Sequence, residues 1–375
     1  MEMQYRPFGK TGLNVSALGF GTMRLPTADG KEMSKNLDEQ ESIRLIRHAI
    51  DCGVNYIDTA YPYHGGNSEW VVGKALGGGY REKVYLADKS PIWMLESAGD
   101  FDRILDEQLQ KCNTDHFDFY LLHSISANTF ESKIKGLHLI DKMKEAKAAG
   151  KISHIGFSFH DQLPVFEEVL HATDAWEFCL IQLNYVGTDY QAGLEGLHMA
   201  ASEGLGVLIM EPLLGGKLAQ PSPGMAAQLS PARPPVQWAL DWLWNLPEVG
   251  VLLSGMSSME QLEENLAYAC ASGTGKLSEE DLSMLERVRH AYLEETRIPC
   301  TKCNYCMPCP NGLDIPALFD AYNSVVASTR AVAARKYAQI PVHASSCVNC
   351  GACEAHCPQH LPIREDMKLL TDFFE

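Results

Sequence analysis

The stretch Val84-Tyr85-Leu86-Ala87-Asp88-Lys89 is a short β-rich run that ends on a lysine. About one strand-plus-helix unit upstream, Tyr56-Ile57-Asp58 ends on an aspartate and continues into Thr59-Ala60-Tyr61-Pro62-Tyr63-His64-Gly65. About one unit downstream, Phe119-Tyr120-Leu121-Leu122-His123 ends on a histidine. The same rhythm runs outward in both directions. Further apolar runs fall at Val15–Phe20, Ile152–Phe157, Cys179–Leu183, Val207–Met210 and Gly250–Leu253, and those around the three quoted ends span Asn55–Asp58, Val84–Asp88 and Phe117–Leu122. Helical periodicity fills the gaps at Glu41–Asp51, Asp102–Lys111, Lys133–Ala149 and Val236–Trp244. Eight strands alternating with helices predict an α/β fold, a (β/α)8 TIM barrel.

An open doubly wound sheet is the rival. It wants G-x-G-x-x-G after its first strand, and Gly19-Phe20-Gly21-Thr22-Met23-Arg24 does not supply it. Tyr5–Gly12 reads as a hairpin ahead of the barrel. Residues 212–235, with six prolines, read as a long loop after the seventh strand, and Lys276–Arg297 as a charged amphipathic helix. Ile298-Pro299 then breaks the pattern. The expected domains are 1–297, the barrel, and 298–375.

A chain of 375 residues is long enough for such a barrel plus a small domain. Its formal charge of −17 repels phosphate backbones and anionic lipid, so no nucleic-acid and no membrane partner is expected. No apolar run approaches the roughly 20 residues of a bilayer span. The opening MEMQYRPFGKTG lacks the apolar core of a signal peptide, which points to a cytoplasmic location.

Eight of the twelve cysteines crowd into positions 300–357. In a cytosolic chain such crowding reads as metal binding rather than disulfides. One run is Cys300-x2-Cys303-x2-Cys306-x2-Cys309-Pro310; the other is Cys347-x2-Cys350-x2-Cys353-x3-Cys357-Pro358. The second has the bacterial ferredoxin spacing, in which the fourth cysteine of each run serves the other cluster. That rule gives two [4Fe-4S] clusters, one on Cys300, Cys303, Cys306 and Cys357, the other on Cys347, Cys350, Cys353 and Cys309. The first run is one residue short before Cys309, which keeps a single cluster open. A pair of four-thiolate zinc sites is the other alternative, although zinc usually takes separated cysteine pairs. Ile315–Asn323 and Val325–Ala338 read as helices, making the tail resemble the α-helical ferredoxin type.

In a barrel of this kind, strand ends share one rim, where active sites lie. Asp58, Lys89 and His123 therefore meet there, with Tyr63 on the adjoining loop. Such a group can protonate a carbonyl during hydride transfer. A free tyrosine, with a pKa near ~10, is too weak an acid at neutral pH. A cationic Lys89 beside it lowers that value, Asp58 holds the lysine charged, and His123 orients the carbonyl.

FGKTGLNVSALGFGTMRL at the N-terminal end, DTAYPYHGG, the strand-end lysine and YLLH resemble the aldo/keto reductase family, over about residues 3–297. The resemblance implies a tetrad of Asp58, Tyr63, Lys89 and His123 with Tyr63 as the acid. It implies a nicotinamide cofactor across the rim, at Gly21, Thr22, Ser158, Gln182, Asn184, Gly216 and Lys217, and at Ser254, Ser257, Ser258 and Asn265. Ser254–Glu264 has no Lys or Arg, where the NADP-dependent members carry a base, so NADP and NAD both remain open. Barrel and tail together resemble the family's subgroup with a 4Fe-4S domain. The implied partners are a small carbonyl or alcohol substrate and, for the clusters, a ferredoxin or other redox protein. A flavin would be needed to divide a hydride pair into single electrons. The alternative function is an iron–sulfur redox sensor or electron-transfer partner on a catalytically idle barrel.

Overall fold

The computed structural model describes residues 2–327 and 330–375. Two compact units are present: Met1–Pro212 with Ala239–Lys276, and Leu213–Trp238 with Leu277–Glu375. The loop after the seventh barrel strand and the helix Glu279–Glu295 group with the cysteine-rich tail in the second unit.

The first unit opens with an antiparallel hairpin, β1 (Tyr5–Pro7) on β2 (Asn14–Ser16), with Tyr5 opposite Ser16. The barrel strands follow: β3 (Leu18–Gly21), β4 (Tyr56–Asp58), β5 (Tyr85–Ser90), β6 (Phe117–Ile125), β7 (Ile152–Phe159), β8 (Phe178–Gln182), β9 (Gly206–Met210) and β10 (Val249–Gly255). All eight pair in parallel with their neighbours, and β10 closes on β3. The expected barrel is the observed one. The first apolar run, however, is not one strand. Val15 and Ser16 complete the hairpin, and the chain enters the barrel only at Leu18. Ala17, at the switch, donates its N–H to Gln4 and accepts from Leu252 and from the Trp244 indole, so no backbone group is lost in the crossing.

Strand parity sets what faces the barrel axis. Tyr56, Ala87, Phe119, Leu121, Phe178, Leu180, Leu208, Val251 and Leu253 form one buried cluster with Phe8 and Val15. Phe8 caps it, 5.4 Å from the Phe119 ring and 6.0 Å from Phe178. Two glycines make room for it: a Cβ on Gly206 or Gly250 would lie 2.7 or 2.6 Å from the Phe8 ring.

The helices match their patterns with local corrections. Asp38 caps Glu39–Asp51 by accepting from Glu41 N, and Ser278 opens Glu279–Glu295 with a capping box to Asp281. The predicted helix Lys133–Ala149 is broken. A wide turn at Phe130–Lys135 and His138 at φ 55° precede the regular helix Leu139–Ala148. The predicted loop 212–235 contains a helix, Pro223–Gln228, because Ser222 accepts from Met225 N and Pro223 suits a first turn.

In the second unit, Ile315–Ala327 and Arg330–Ala338 are helical. The first runs past the expected break at Ser324; Ser328 and Thr329, inside the second predicted helix, lie outside the described residues. A core of Ile298, Leu313, Ile315, Leu318, Phe319, Tyr322, Tyr337, Ile363, Met367 and Leu370 carries both cysteine runs on its flank. Among the described residues no helix is long and apolar enough to cross a membrane.

Phe8→Ala should empty the closed end of the barrel, where backbone glycines cannot collapse inward. The expected loss is about 3–5 kcal/mol, read as a shift in the denaturant midpoint of tryptophan emission.

Candidate active site

The parity that buries Tyr56, Ala87 and Leu121 continues two residues further along each strand. There it delivers Asp58, Lys89 and His123 to the same interior column. Lys89 is completely buried, and its Nζ donates to Asp58 Oδ1 at 2.6 Å and to the Thr59 carbonyl at 2.7 Å. The Tyr63 ring, on the 3₁₀ turn Tyr63–Gly66, has its centroid 5.2 Å from that ammonium. His123 meets the Tyr63 ring edge-on at 6.2 Å. The four residues expected to act together are brought together.

Burial raises the Asp58 carboxyl above its ordinary value, and the Lys89 ammonium pulls it back. A 2.6 Å contact at this depth is an ion pair whose partners cannot be removed one at a time without large cost. His123 is held well below the ordinary histidine value, first by burial, then by the Lys89 charge and by His160. It is therefore a neutral imidazole near pH 7, able to donate one N–H and accept at the other nitrogen. Its Nδ1 has no hydrogen-bond partner among the described residues.

Most expected cofactor positions lie on the strand-end loops of the same unit, and each has a structural tie. The Thr22 hydroxyl, buried, donates to the Asp58 carbonyl and accepts from Ser68. Gly21 lies where a Cβ would come 3.4 Å from the Ser254 carbonyl. Ser158 Oγ accepts from Ser124 N, which stands at φ 61°. Gln182 is buried at the end of β8. Asn184 Oδ1 accepts from Gly187 N at 2.9 Å, and its Nδ2 donates to the Glu211 carbonyl. Ser254 accepts from Asn265, both buried. Ser258 caps the helix Met259–Cys270, whereas Ser257 reaches back to the Arg24 carbonyl. Gly216 and Lys217 belong to the second unit, in a turn where Gly215 presses on the first cysteine run. A Cβ on Gly215 would fall 2.1 Å from the Thr301 carbonyl.

Two residues escaped the sequence reading. Trp93, on the turn after β5, packs 5.1 Å from the His123 ring. An aromatic residue a few positions past the strand-end lysine was the available signal. Arg24, after β3, lies against β10: a Cβ on Gly255 would meet the Arg24 side chain at 2.7 Å. It supplies a cation beside the loop that has none of its own, and pairs with Glu32 at 3.0 Å. Only the β3–β10 closure reveals it.

In the second unit the cysteines line two hollows. Cys300, Cys303, Cys306 and Cys357 share one with Ile315, Phe319 and Leu361. Cys309, Cys347, Cys350 and Cys353 share the other with Leu313, Ile363 and Met367. The crossed grouping is that expected from ferredoxin spacing, Cys309 included. Zinc would draw four sulfurs to one point at about 2.3 Å. Thiols around a hollow suit a multi-iron cluster. Burial, then the neighbouring Cys303, Cys300 and Cys357, hold the Cys306 thiol far above its ordinary value, a condition that iron would reverse on binding.

A closed parallel barrel with a Lys–Asp–Tyr–His rim, joined to a cysteine-lined helical domain, defines an oxidoreductase with an iron–sulfur domain. The aldo/keto reductase family model matches residues 17–290, and a 4Fe-4S dicluster domain model matches 299–361. The chain belongs to the aldo/keto reductase family. It is 27% identical over 317 residues to L-galactose dehydrogenase of Arabidopsis thaliana, covering 76% of this chain and 94% of that one. It is also 27% identical over 335 residues to NADH-specific methylglyoxal reductase of Escherichia coli (strain K12), covering 77% and 99%. An aldo-keto reductase from Klebsiella pneumoniae, solved in complex with NADPH, superposes with a TM-score of 0.62 at 25% identity, covering 77% of this chain and 96% of that one.

His123 should keep the ring resonances of a neutral imidazole when the pH is brought through 6.5, the ordinary histidine value, and below it. Proton-detected NMR of ring-labelled protein checks this; a midpoint at the ordinary value would show the site open to water.

Proposed function

We propose that the chain reduces a small aldehyde or ketone to the alcohol, or runs the reverse reaction, with Tyr63 as the proton donor to the carbonyl oxygen. The observation that carries this reading is the buried Lys89 ammonium, fixed by Asp58 and Thr59, 5.2 Å from the Tyr63 ring. A fixed positive charge favours the tyrosinate left after the proton departs, which makes Tyr63 a faster acid. The neutral His123 donates a hydrogen bond to the carbonyl oxygen and orients it, and Trp93 walls the same space. A nicotinamide, when bound, supplies the hydride. The proton and the hydride together account for the two electrons and two hydrogens that carbonyl reduction adds.

Among relatives, one name specifies NADH and one neighbour holds NADPH. For this chain we propose that NADPH or NADH serves: the aliphatic part of Arg24 packs on the β10 loop, but its guanidinium is paired with Glu32. Gly21, Thr22, Ser158, Gln182, Asn184, Ser254, Ser257, Ser258 and Asn265 are the contacts the family pattern assigns in the first unit.

We further propose that residues 298–375 hold two [4Fe-4S] clusters, one in each hollow. These exchange single electrons with a ferredoxin or similar redox protein, and a flavin on that side would convert pairs to single electrons. Cys350 is exposed and its neighbour Val348 is 63% exposed, so a cluster in the second hollow lies at the protein surface. A cytoplasmic setting suits eight free thiols.

Tyr63→Phe keeps the ring and removes the proton donor. It should lower kcat by about 10²–10⁴-fold against a carbonyl panel with NADPH and NADH, leaving cofactor binding by nicotinamide fluorescence intact. Undiminished turnover would overturn Tyr63 as the acid, whereas a parent protein that neither binds nicotinamide nor turns over any carbonyl would favour a redox sensor on an idle barrel.

Cys309→Ser should remove one cluster and leave the other. Anaerobically purified protein should then fall from about eight irons per chain to about four. A wild-type value near four would mean one cluster.

A further inference from the structure

β5 carries two buried charged residues back to back. Lys89 points to the barrel axis, so Asp88, one residue earlier, points outward toward the helices Ser68–Leu76 and Ala98–Lys111. There it meets Glu69, and both side chains are completely buried. One cation serves this place: Lys111 Nζ lies 3.0 Å from Glu69 Oε2 and is shared with Glu107 at 2.8 Å. Each acid also has one buried oxygen, Asp88 Oδ2 and Glu69 Oε1, without a hydrogen-bond partner among the described residues. Carboxylate oxygens can only accept, so two ionised acids facing each other leave both oxygens unmet and repel. A single proton between them makes one oxygen a donor to the other and ends the repulsion.

The outer side of β5 is also where the Lys89 backbone is held. Asp88 Oδ1 accepts from Lys89 N at 2.8 Å, and Gln108 Nε2 donates to the Lys89 carbonyl at 3.1 Å. Gln108 is in turn fixed by the Tyr120 hydroxyl at 2.5 Å. Both backbone groups of the lysine are therefore clamped from behind while its ammonium is clamped in front by Asp58. We propose that Asp88 and Glu69 share one proton across the outer face of β5, and that this pair is the positioning device for Lys89.

Burial, then the Glu69 charge, pushes the Asp88 carboxyl well above its ordinary value. Burial raises Glu69 too, against the pull of Lys111. The groups facing the pair are Lys111, Gln108 and Cys112 from the helical side and Tyr120 from the strands, while the Lys89 charge acts from the opposite face of β5. The positioning half of the proposal rests on Lys89 serving the reaction proposed above; the shared proton does not.

Asp88→Asn preserves an acceptor for the Lys89 N–H and gives Glu69 a permanent donor. It should retain kcat within about threefold of the parent enzyme, whereas Asp88→Ala should lose about 10–100-fold in kcat with little change in KM for the carbonyl. Asp88→Leu, of closer volume, replaces it if the alanine variant does not fold. Infrared spectra of the intact, iron-loaded chain at neutral pH should show a protonated-carboxyl band that shifts in heavy water and is missing from Asp88→Asn. An unchanged band in Asp88→Asn overturns the shared proton. Normal kcat in Asp88→Ala or Asp88→Leu, or no rescue by Asp88→Asn, overturns the positioning role. Tyr63→Phe assayed alongside separates these outcomes from failure of the reaction itself, which would leave the infrared band in place.

Discussion

The contact around which the polar end of the first unit is arranged is the 2.6 Å ion pair between Lys89 and Asp58. Taking both charges out of water is expensive, and their attraction offsets this only when geometry is good and the remaining donors are met. The Thr59 carbonyl meets one of them, and it is available because the chain leaves β4 at that point. The pair sets the character of its neighbours. Its positive end lies by the Tyr63 ring and helps to keep His123 uncharged, so one buried ammonium acts on both rings.

That contact is possible because the barrel places unlike layers along one axis. The closed end is packed with Phe8, Tyr56, Phe119 and Phe178, and the last inward positions of the same strands, Asp58, His123 and Gln182, are polar. A packed floor and a polar rim are both consequences of a two-residue period in a closed sheet. The Ser68, Thr22 and Thr59 hydroxyls form a short buried chain that ties the loops after β3 and β4 to the Asp58 backbone. Fixing those loops limits the freedom of the turn that carries Tyr63.

The second unit follows a different logic. Its apolar core is small, and the cysteine runs lie on that core rather than inside it. Crowded thiols resist ionisation in such surroundings, so metal would contribute to the stability of this unit as well as to its redox chemistry. The Gly215 turn and the helices Pro223–Gln228 and Glu279–Glu295 share the unit. Ser222 hydrogen-bonds Glu295, linking two segments that the sequence separates widely.

How much was legible depended on whether the signal was local. Eight β-rich runs, the strand-end Asp58, Lys89 and His123, and the spacing of eight cysteines are periodic or short-range patterns, and one chain displays them. From these the barrel could be read, together with the meeting of Asp58, Lys89 and His123 at one of its ends. Other features depend on partners distant in sequence. The split of Val15–Phe20 between hairpin and barrel is decided by Gln4 and Leu252. The cation beside the β10 loop comes from Arg24, more than two hundred residues away, and the hidden acid pair needs Ser68–Leu76 packed behind β5. Sequence by itself determined which side chains could reach the rim, because alternation along a strand is a local geometric rule. Only the tertiary structure decided which charges lost their water, because burial is a property of the closed sheet and its helices acting together.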